Sequence, residues 1–325
     1  MHIIYWLILL NVVVVGQDME RTCVVAVCTR DRPQFLGRCL HSLTALQHGE
    51  GVTLRLLVVD NSASPMPSQR VVDLAADGLA PLSPVLVHEP RVGIPFARNR
   101  AFDFADEIGA ESVIFLDDDQ TAAPNLALTL CRVQEEEKCD AVKCEVRWEF
   151  EAPQRFKEFF YRPPATPEPL RWPYSSFLVP TNGVLIGRRL WDDLGLRFNE
   201  EFPLTGGTDV DFFARAWDYG VKIIHTSETF ATEFCDAAKQ RMSWLLRRSF
   251  RVGNTEAAMR LKGRGRIYYF AKGLLWIPWY GLLAARNLPA PNTSLHYFLK
   301  SVKGAGLMAG SIGIGVNEYR HIIGR

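Results

Sequence analysis

The chain has 325 residues, 48% of them hydrophobic and 22% charged, with a formal net charge of +1. That length buries a sizeable core, in one large domain or two small ones. The near-neutral balance excludes a globally basic surface, and no nucleic-acid partner is expected.

In chain order, residues 1–22 form an apolar N-terminal segment, apolar from Ile3 to Val15 but for Asn11. The run is short of the ~20 residues that span a bilayer. It lacks the basic start and A-x-A site of a secretory signal. A short anchor, an extra strand and an extra helix all remain open. The seven cysteines show neither a CxxC pair nor metal-finger spacing, and their odd number points to reduced thiols and a cytoplasmic location.

Strands are predicted at 23–28, 54–59, 84–89, 112–116 and 141–146, where β-branched apolar runs are continuous. Helices are predicted between them, at 33–47, 68–77, 96–108 and 125–138, with Pro33, Pro95 and Pro124 near three of the starts. Apolar strands alternating with helices give a mixed, mostly parallel sheet covered on both faces. Residues 148–182, rich in proline, read as a long excursion. A strand at 183–187, a helix near 208–219 and a strand at 221–224 complete the α/β pattern. Eight basic residues and one acid, Glu256, lie between Arg241 and Arg266. Two apolar stretches, 267–285 and 295–316, follow, interrupted by lysines and Pro278.

The polar residues collect at strand ends. Thr29-Arg30-Asp31 follows the first strand, Asp60-Asn61 the second and Asp117-Asp118-Asp119 the fourth. Ligands of such sheets bind beyond these ends. Three adjacent carboxylates are a cost to folding unless a cation or hydrogen-bond donors meet them. A hard divalent ion, Mn²⁺ or Mg²⁺, suits them, because it takes one or two carboxylates and leaves positions for substrate phosphate. Arg98 and Asn99, near a helix start behind Gly93, suit phosphate as well. In "TGGTDVDFF" (205–213), Thr208 and Asp211 have capping-box spacing, which leaves Asp209 free as a candidate general base.

These stretches, with "VVAVCTRDRPQFLGRCLHSL", "NGVLIGRRLW" and "WLLRRSFRVGN", resemble family 2 glycosyltransferases of the GT-A fold, and more narrowly their succinoglycan-biosynthesis branch. The resemblance covers about residues 23–255 as a GT-A domain, leaving 256–325 as a helical C-terminal extension. It implies inverting transfer of a hexose from a nucleotide-diphosphate sugar, UDP being expected, to a polyprenyl-diphosphate-linked saccharide. Thr29, Arg30 and Asp60 would hold the nucleotide. Arg98, Asn99, Asp117 and Asp118 would complete the substrate contacts. Asp117 and Asp119 would form the D-x-D metal set, Asp119 the direct ligand, with the ion as Lewis acid on the leaving group. Asp209 matches the family's base.

Two positions depart from the family pattern: Thr208 stands where a Glu is usual, and Thr232 where a His is common. The branch also implies work at the inner face of the cytoplasmic membrane. For the C-terminal stretches, peripheral attachment is favoured over spanning, since charges and Pro278 break them. The competing readings are a catalytically degenerate binding subunit and, further off, a sugar nucleotidyltransferase. The latter would normally place a glycine-rich loop with a lysine where Thr29-Arg30-Asp31-Arg32-Pro33 stands.

Overall fold

A computed structural model of the chain describes residues 21–151, 171–173, 179–204, 206–259 and 264–315. The N-terminal apolar segment before residue 21 and most of the proline-rich excursion lie outside the described residues.

The chain runs β1 (Arg21–Thr29), α1 (Pro33–Leu43), β2 (Val52–Asp60), α2 (Met66–Leu79), β3 (Val85–His88), α3 (Ile94–Glu107), β4 (Ser112–Asp117) and β5 (Gln120–Ala122). It continues with α4 (Leu126–Glu137), β6 (Ala141–Phe150), β7 (Arg171–Pro173), β8 (Val184–Gly187), α5 (Arg188–Trp191) and α6 (Thr208–Trp217). Last come β9 (Ile223–Cys235), α7 (Met242–Ala258), α8 (Arg266–Arg286) and α9 (Pro291–Ser311).

The strands form one sheet in the order β3-β2-β1-β4-β8-β6-β9-β5, with β7 beside β9. The β3-β2-β1-β4 half is parallel, as its continuous apolar strands predict. β8 then enters antiparallel between β4 and β6. Two apolar layers cover the sheet, one centred on Leu36, Leu56 and Leu130, the other on Phe102, Trp191, Phe198 and Phe212. In the second layer Phe198 and Phe212 stack at 4.6 Å, which fixes the floor beneath α6.

Register lines up the polar strand ends. Thr29 stands opposite Asp60, and Cys28 opposite Asp117. Asp31 follows at a positive φ of 54°, its N–H donating to Ser62 Oγ at 2.8 Å, so the β1 loop is tied to the β2 loop. β9 is much longer than the expected strand at 221–224. Its polar "HTSET" breaks the apolar signal because half of the strand's side chains meet solvent or the cleft rather than core.

The boundary expected at residue 255 falls inside α7. α9 packs on α7 backbone to backbone: a Cβ at Gly306 would lie 2.0 Å from the Phe250 carbonyl oxygen, and one at Gly310 2.2 Å from that of Asn254. Two of the three lysines that interrupt the C-terminal apolar stretches are turned inward. Lys272 and Lys303 both pair with Glu256, at 2.7 and 2.8 Å, tying α7, α8 and α9 together. No helix among the described residues is long and apolar enough to cross a membrane.

Candidate active site

At the carboxyl ends of β1 and β4 opens a cleft of about 710 Å³. The turn after β4 supplies Asp117 and Asp119 to its wall, and the start of α6 supplies Thr208 and Asp209. Gly206 and Gly207 both take positive φ, 74° and 80°, which turns the chain so that α6 begins at the cleft. A Cβ at Gly207 would lie 2.7 Å from Thr255 Cγ2, so α7 abuts this turn.

Arg98 joins the two walls. Buried on α3 over the Phe198 ring, it reaches Asp117 (3.7 Å) with one terminal nitrogen and the Thr208 hydroxyl (3.4 Å) with the other. Gly93 sets where α3 begins: its N–H donates to Asn61 Oδ1 at 2.7 Å, and a Cβ there would strike Pro203 at 2.6 Å.

Asp118 points inward and is fully buried. The Thr29 hydroxyl donates to it at 2.8 Å and Arg32 pairs with it, so Thr29 and Asp118 hold the turn that presents their neighbours. Burial pushes the Asp118 carboxyl up to about 7, against the pull of Arg32. Asp119 faces out to Lys239 at 2.8 Å and Arg32 at 3.5 Å. Glu233 of β9 stands across from it, bonded by Asn182 at 3.0 Å, and burial with the Asp119 charge pushes its carboxyl up to about 7. Thr232 does not line the cleft; its neighbour Glu233 does.

The expected residues therefore separate into groups. Thr29, Arg30, Arg98, Asp117, Asp119 and Asp209 share one cleft. Asp60 lies beneath its floor, fully buried; Oδ1 accepts the Ser62 N–H at 2.7 Å, while Oδ2 has no hydrogen-bond partner. Asn99 lies elsewhere. Its amide is spent on the Phe198 backbone and on Glu200, at a separate surface depression lined by Arg91 and Arg197. The capping box does not form: Gly207 is the cap of α6, Thr208 is its first residue, and Asp211 pairs with Arg215 at 2.9 Å.

The close charge pairing is local, within a cleft that Arg30, Lys143, Arg248 and Arg251 also line. Four carboxylates, at Asp117, Asp118, Asp119 and Glu233, meet three cations within 4 Å among the described residues: Arg32, Arg98 and Lys239. Oxygen donors of this kind suit a hard divalent ion. No three His, Cys, Asp or Glu side chains among the described residues converge tightly enough to hold one alone. Hard ions in such sites commonly complete their shells with substrate phosphate and water.

A model of the family described as glycosyl transferase family 2 matches residues 24–194. The chain belongs to glycosyltransferase family 2. It is 28% identical over 301 residues to the succinoglycan biosynthesis protein ExoM of Rhizobium meliloti (strain 1021), covering 89% of this chain and 93% of that protein. Among solved structures, the mannosyltransferase PcManGT of Pyrobaculum calidifontis, in complex with GDP-Man and Mn²⁺, matches with a TM-score of 0.59 at 18% identity over 90% of this chain and 86% of that one. TarS 1-349 of S. aureus, in complex with UDP, matches with a TM-score of 0.50 at 15% identity over 89% and 90%. The architecture is thus the GT-A fold, and the nucleotidyltransferase reading falls away.

The cleft of this glycosyltransferase holds groups that sequence reading passes over. Glu233 sits in a strand whose polar residues hide its period, and Lys239 in the turn between β9 and α7. Trp244, Arg248 and Arg251 of α7 line the same wall, Arg248 lying 5.0 Å from the Trp244 ring. For Trp244, Arg248 and Arg251 the signals are the basic run and the stretch "WLLRRSFRVGN". The basic run divides, with Arg248 and Arg251 in the cleft and Arg264 and Arg266 exposed at the start of α8.

Proposed function

We propose that this glycosyltransferase is an inverting, metal-assisted hexosyltransferase. It moves a sugar from a UDP-sugar to a saccharide carried on a polyprenyl diphosphate, in the synthesis of an exopolysaccharide or another cell-surface glycan. The observation that carries the reading is the convergence of Asp117, Asp119 and Asp209 with Arg30, Arg98, Arg248 and Arg251 on one cleft. The names of the relatives support the donor class: PcManGT holds GDP-Man and Mn²⁺, TarS holds UDP, and ExoM serves succinoglycan biosynthesis.

In this mechanism Asp209 takes the proton of the acceptor hydroxyl as it attacks the anomeric carbon from the face opposite the diphosphate, which inverts the configuration. One carboxylate suffices, because the diphosphate leaves as an anion and needs charge stabilisation rather than a proton. Asp117 and Asp119 would hold a Mn²⁺ or Mg²⁺ ion, which supplies part of that stabilisation when bound. Arg98, spanning Asp117 and Thr208, keeps the base-bearing turn set against the D-x-D turn. Arg248 and Arg251 on the cleft wall suit the acceptor's own diphosphate.

The C-terminal helices support a membrane-bound acceptor. On α8, Ile267, Leu274, Leu275, Trp279 and Leu282 are each more than half exposed, and Arg264, Arg266 and Arg286 flank them. An apolar face rimmed by cations suits the surface of an anionic bilayer, here the inner face of the cytoplasmic membrane. The test uses vesicles of anionic phospholipid doped with a polyprenyl-diphosphate-linked saccharide, and a panel of UDP-hexoses. The protein should float with the vesicles and add one hexose, whose anomeric proton reports inversion by NMR. Retained configuration, or binding without transfer from any UDP-hexose, contradicts the proposal and favours a binding subunit.

A further inference from the structure

Of the described cations that pair with the carboxylate cluster within 4 Å, Lys239 comes from neither α3 nor the β1 loop. It stands in the turn joining β9 to α7, and its own N–H donates to Asp236 Oδ1 at 2.8 Å. Its Nζ lies 2.8 Å from Asp119 Oδ2 and 3.6 Å from Glu233 Oε1. Both carboxylates are mostly withdrawn from solvent, with Asp119 at 9% and Glu233 at 13% side-chain exposure. The ammonium therefore fills the space that an ion bound to Asp119 would need. Two cations a few ångströms apart in a partly buried site repel by several kcal/mol, so they cannot both keep that place.

We propose that Lys239 is the resident cation of the metal position. It neutralises Asp119 and Glu233 while no ion is present, and yields Asp119 to the ion when donor arrives. The inference rests on the donor-site reading above. A lysine is suited to such an exchange: its ammonium is a compact point charge on a flexible four-carbon stem, and it takes phosphate readily. The cleft gives it somewhere to go, since Lys239 lines it together with Trp244 and Arg248 and its side chain is 23% exposed.

Once displaced, the ammonium meets the donor's diphosphate instead of water. Ion and donor are then coupled through one side chain. The ion alone must evict Lys239 with nothing to receive it, whereas the ion with a diphosphate leaves every charge paired. Removing the ammonium therefore has opposite effects on the two ligands, because it frees Asp119 for the ion and takes a contact from the diphosphate.

The test is Mn²⁺ binding to the full chain, read by the paramagnetic resonance of free Mn²⁺ without nucleotide, on wild type, Lys239→Met and Lys239→Gln. UDP binding is then measured by calorimetry at saturating Mn²⁺. Both neutral variants should bind Mn²⁺ about ten-fold more tightly than wild type in the absence of UDP, and UDP about ten-fold more weakly in its presence. Unchanged or weaker Mn²⁺ binding by either variant that keeps the wild-type circular dichroism overturns the proposal. A wild type that binds no UDP with or without Mn²⁺ breaks the donor-site reading itself. A wild type that binds UDP with Mn²⁺ beside variants of unaltered Mn²⁺ affinity breaks only the role of Lys239.

Discussion

Asp209→Asn is expected to lower kcat for sugar transfer by about 10²–10⁴-fold, the range for loss of a positioned general base. UDP affinity in the presence of Mn²⁺ should stay within about two-fold of wild type, because the base acts in the proton-transfer step rather than in donor binding. The replacement keeps the shape of the side chain and removes its capacity to take a proton. Asp209 is the second residue of α6, at a half-buried place on the cleft wall. Asp211, in the same first turn, provides the contrast: it pairs with Arg215 at 2.9 Å and does not line the cleft. Asp211→Asn should therefore lower the melting temperature while leaving kcat close to wild type. Transfer retained by Asp209→Asn, or lost equally in both variants, would contradict the assignment of the base.

Gly306→Leu is expected to have the largest effect on folding. α9 meets α7 with no side chain between them at this point, since a Cβ at Gly306 would stand 2.0 Å from the Phe250 oxygen and 3.0 Å from the Asn254 nitrogen. The same holds from the other side, where a Cβ at Gly253 would stand 2.1 Å from the Lys303 oxygen. Backbone cannot swing aside as a flexible side chain does, so a leucine must force the helices apart. Overpacking of this kind costs about 1–3 kcal/mol, occasionally more, and in a chain of this length should lower Tm by about 2–5 °C. Because α7 carries Arg248 and Arg251 and abuts Gly207 through Thr255, turnover should fall with it. Gly265→Ala is the control, with nothing within 4 Å of its added Cβ. Scanning calorimetry of the two variants checks this. An unchanged Tm for Gly306→Leu would mean that α8 and α9 are not braced on α7.

Much of the sheet was legible, because strands such as "LRLLVV" are buried on both faces and carry that burial in their composition. The strand-end aspartates stand out because three adjacent charges repel, but their sequence does not show that Asp118 is buried and holds the turn through Thr29 and Arg32. The rest depended on partners distant in sequence. β9 is long because it is paired on both sides, by β6 and by β5 and β7, and pairing leaves no mark on a polar strand. Thr208 has the spacing of a cap yet is held by Arg98, 110 residues earlier. Asn99, beside Arg98 on one helix, turns the other way into Phe198 and Glu200. Lys272 and Lys303 read as breaks in apolar segments, whereas both are drawn in by Glu256 of α7. Glu233 and Lys239 reach Asp119 across 114 and 120 residues of chain, a juxtaposition that only the closed sheet creates.

The most direct test of the donor site is calorimetric titration of a UDP-sugar into wild type and Asp119→Ala, each with Mn²⁺ and with EDTA. Asp119 is the aspartate of the strand-end trio that faces Glu233 and Lys239 inside the cleft. Wild type with Mn²⁺ should bind, and EDTA or the loss of Asp119 should each weaken binding at least about ten-fold, since either removes the link between carboxylate and diphosphate. Binding of equal strength in EDTA, or in Asp119→Ala with Mn²⁺, would contradict a metal-assisted donor site at this turn.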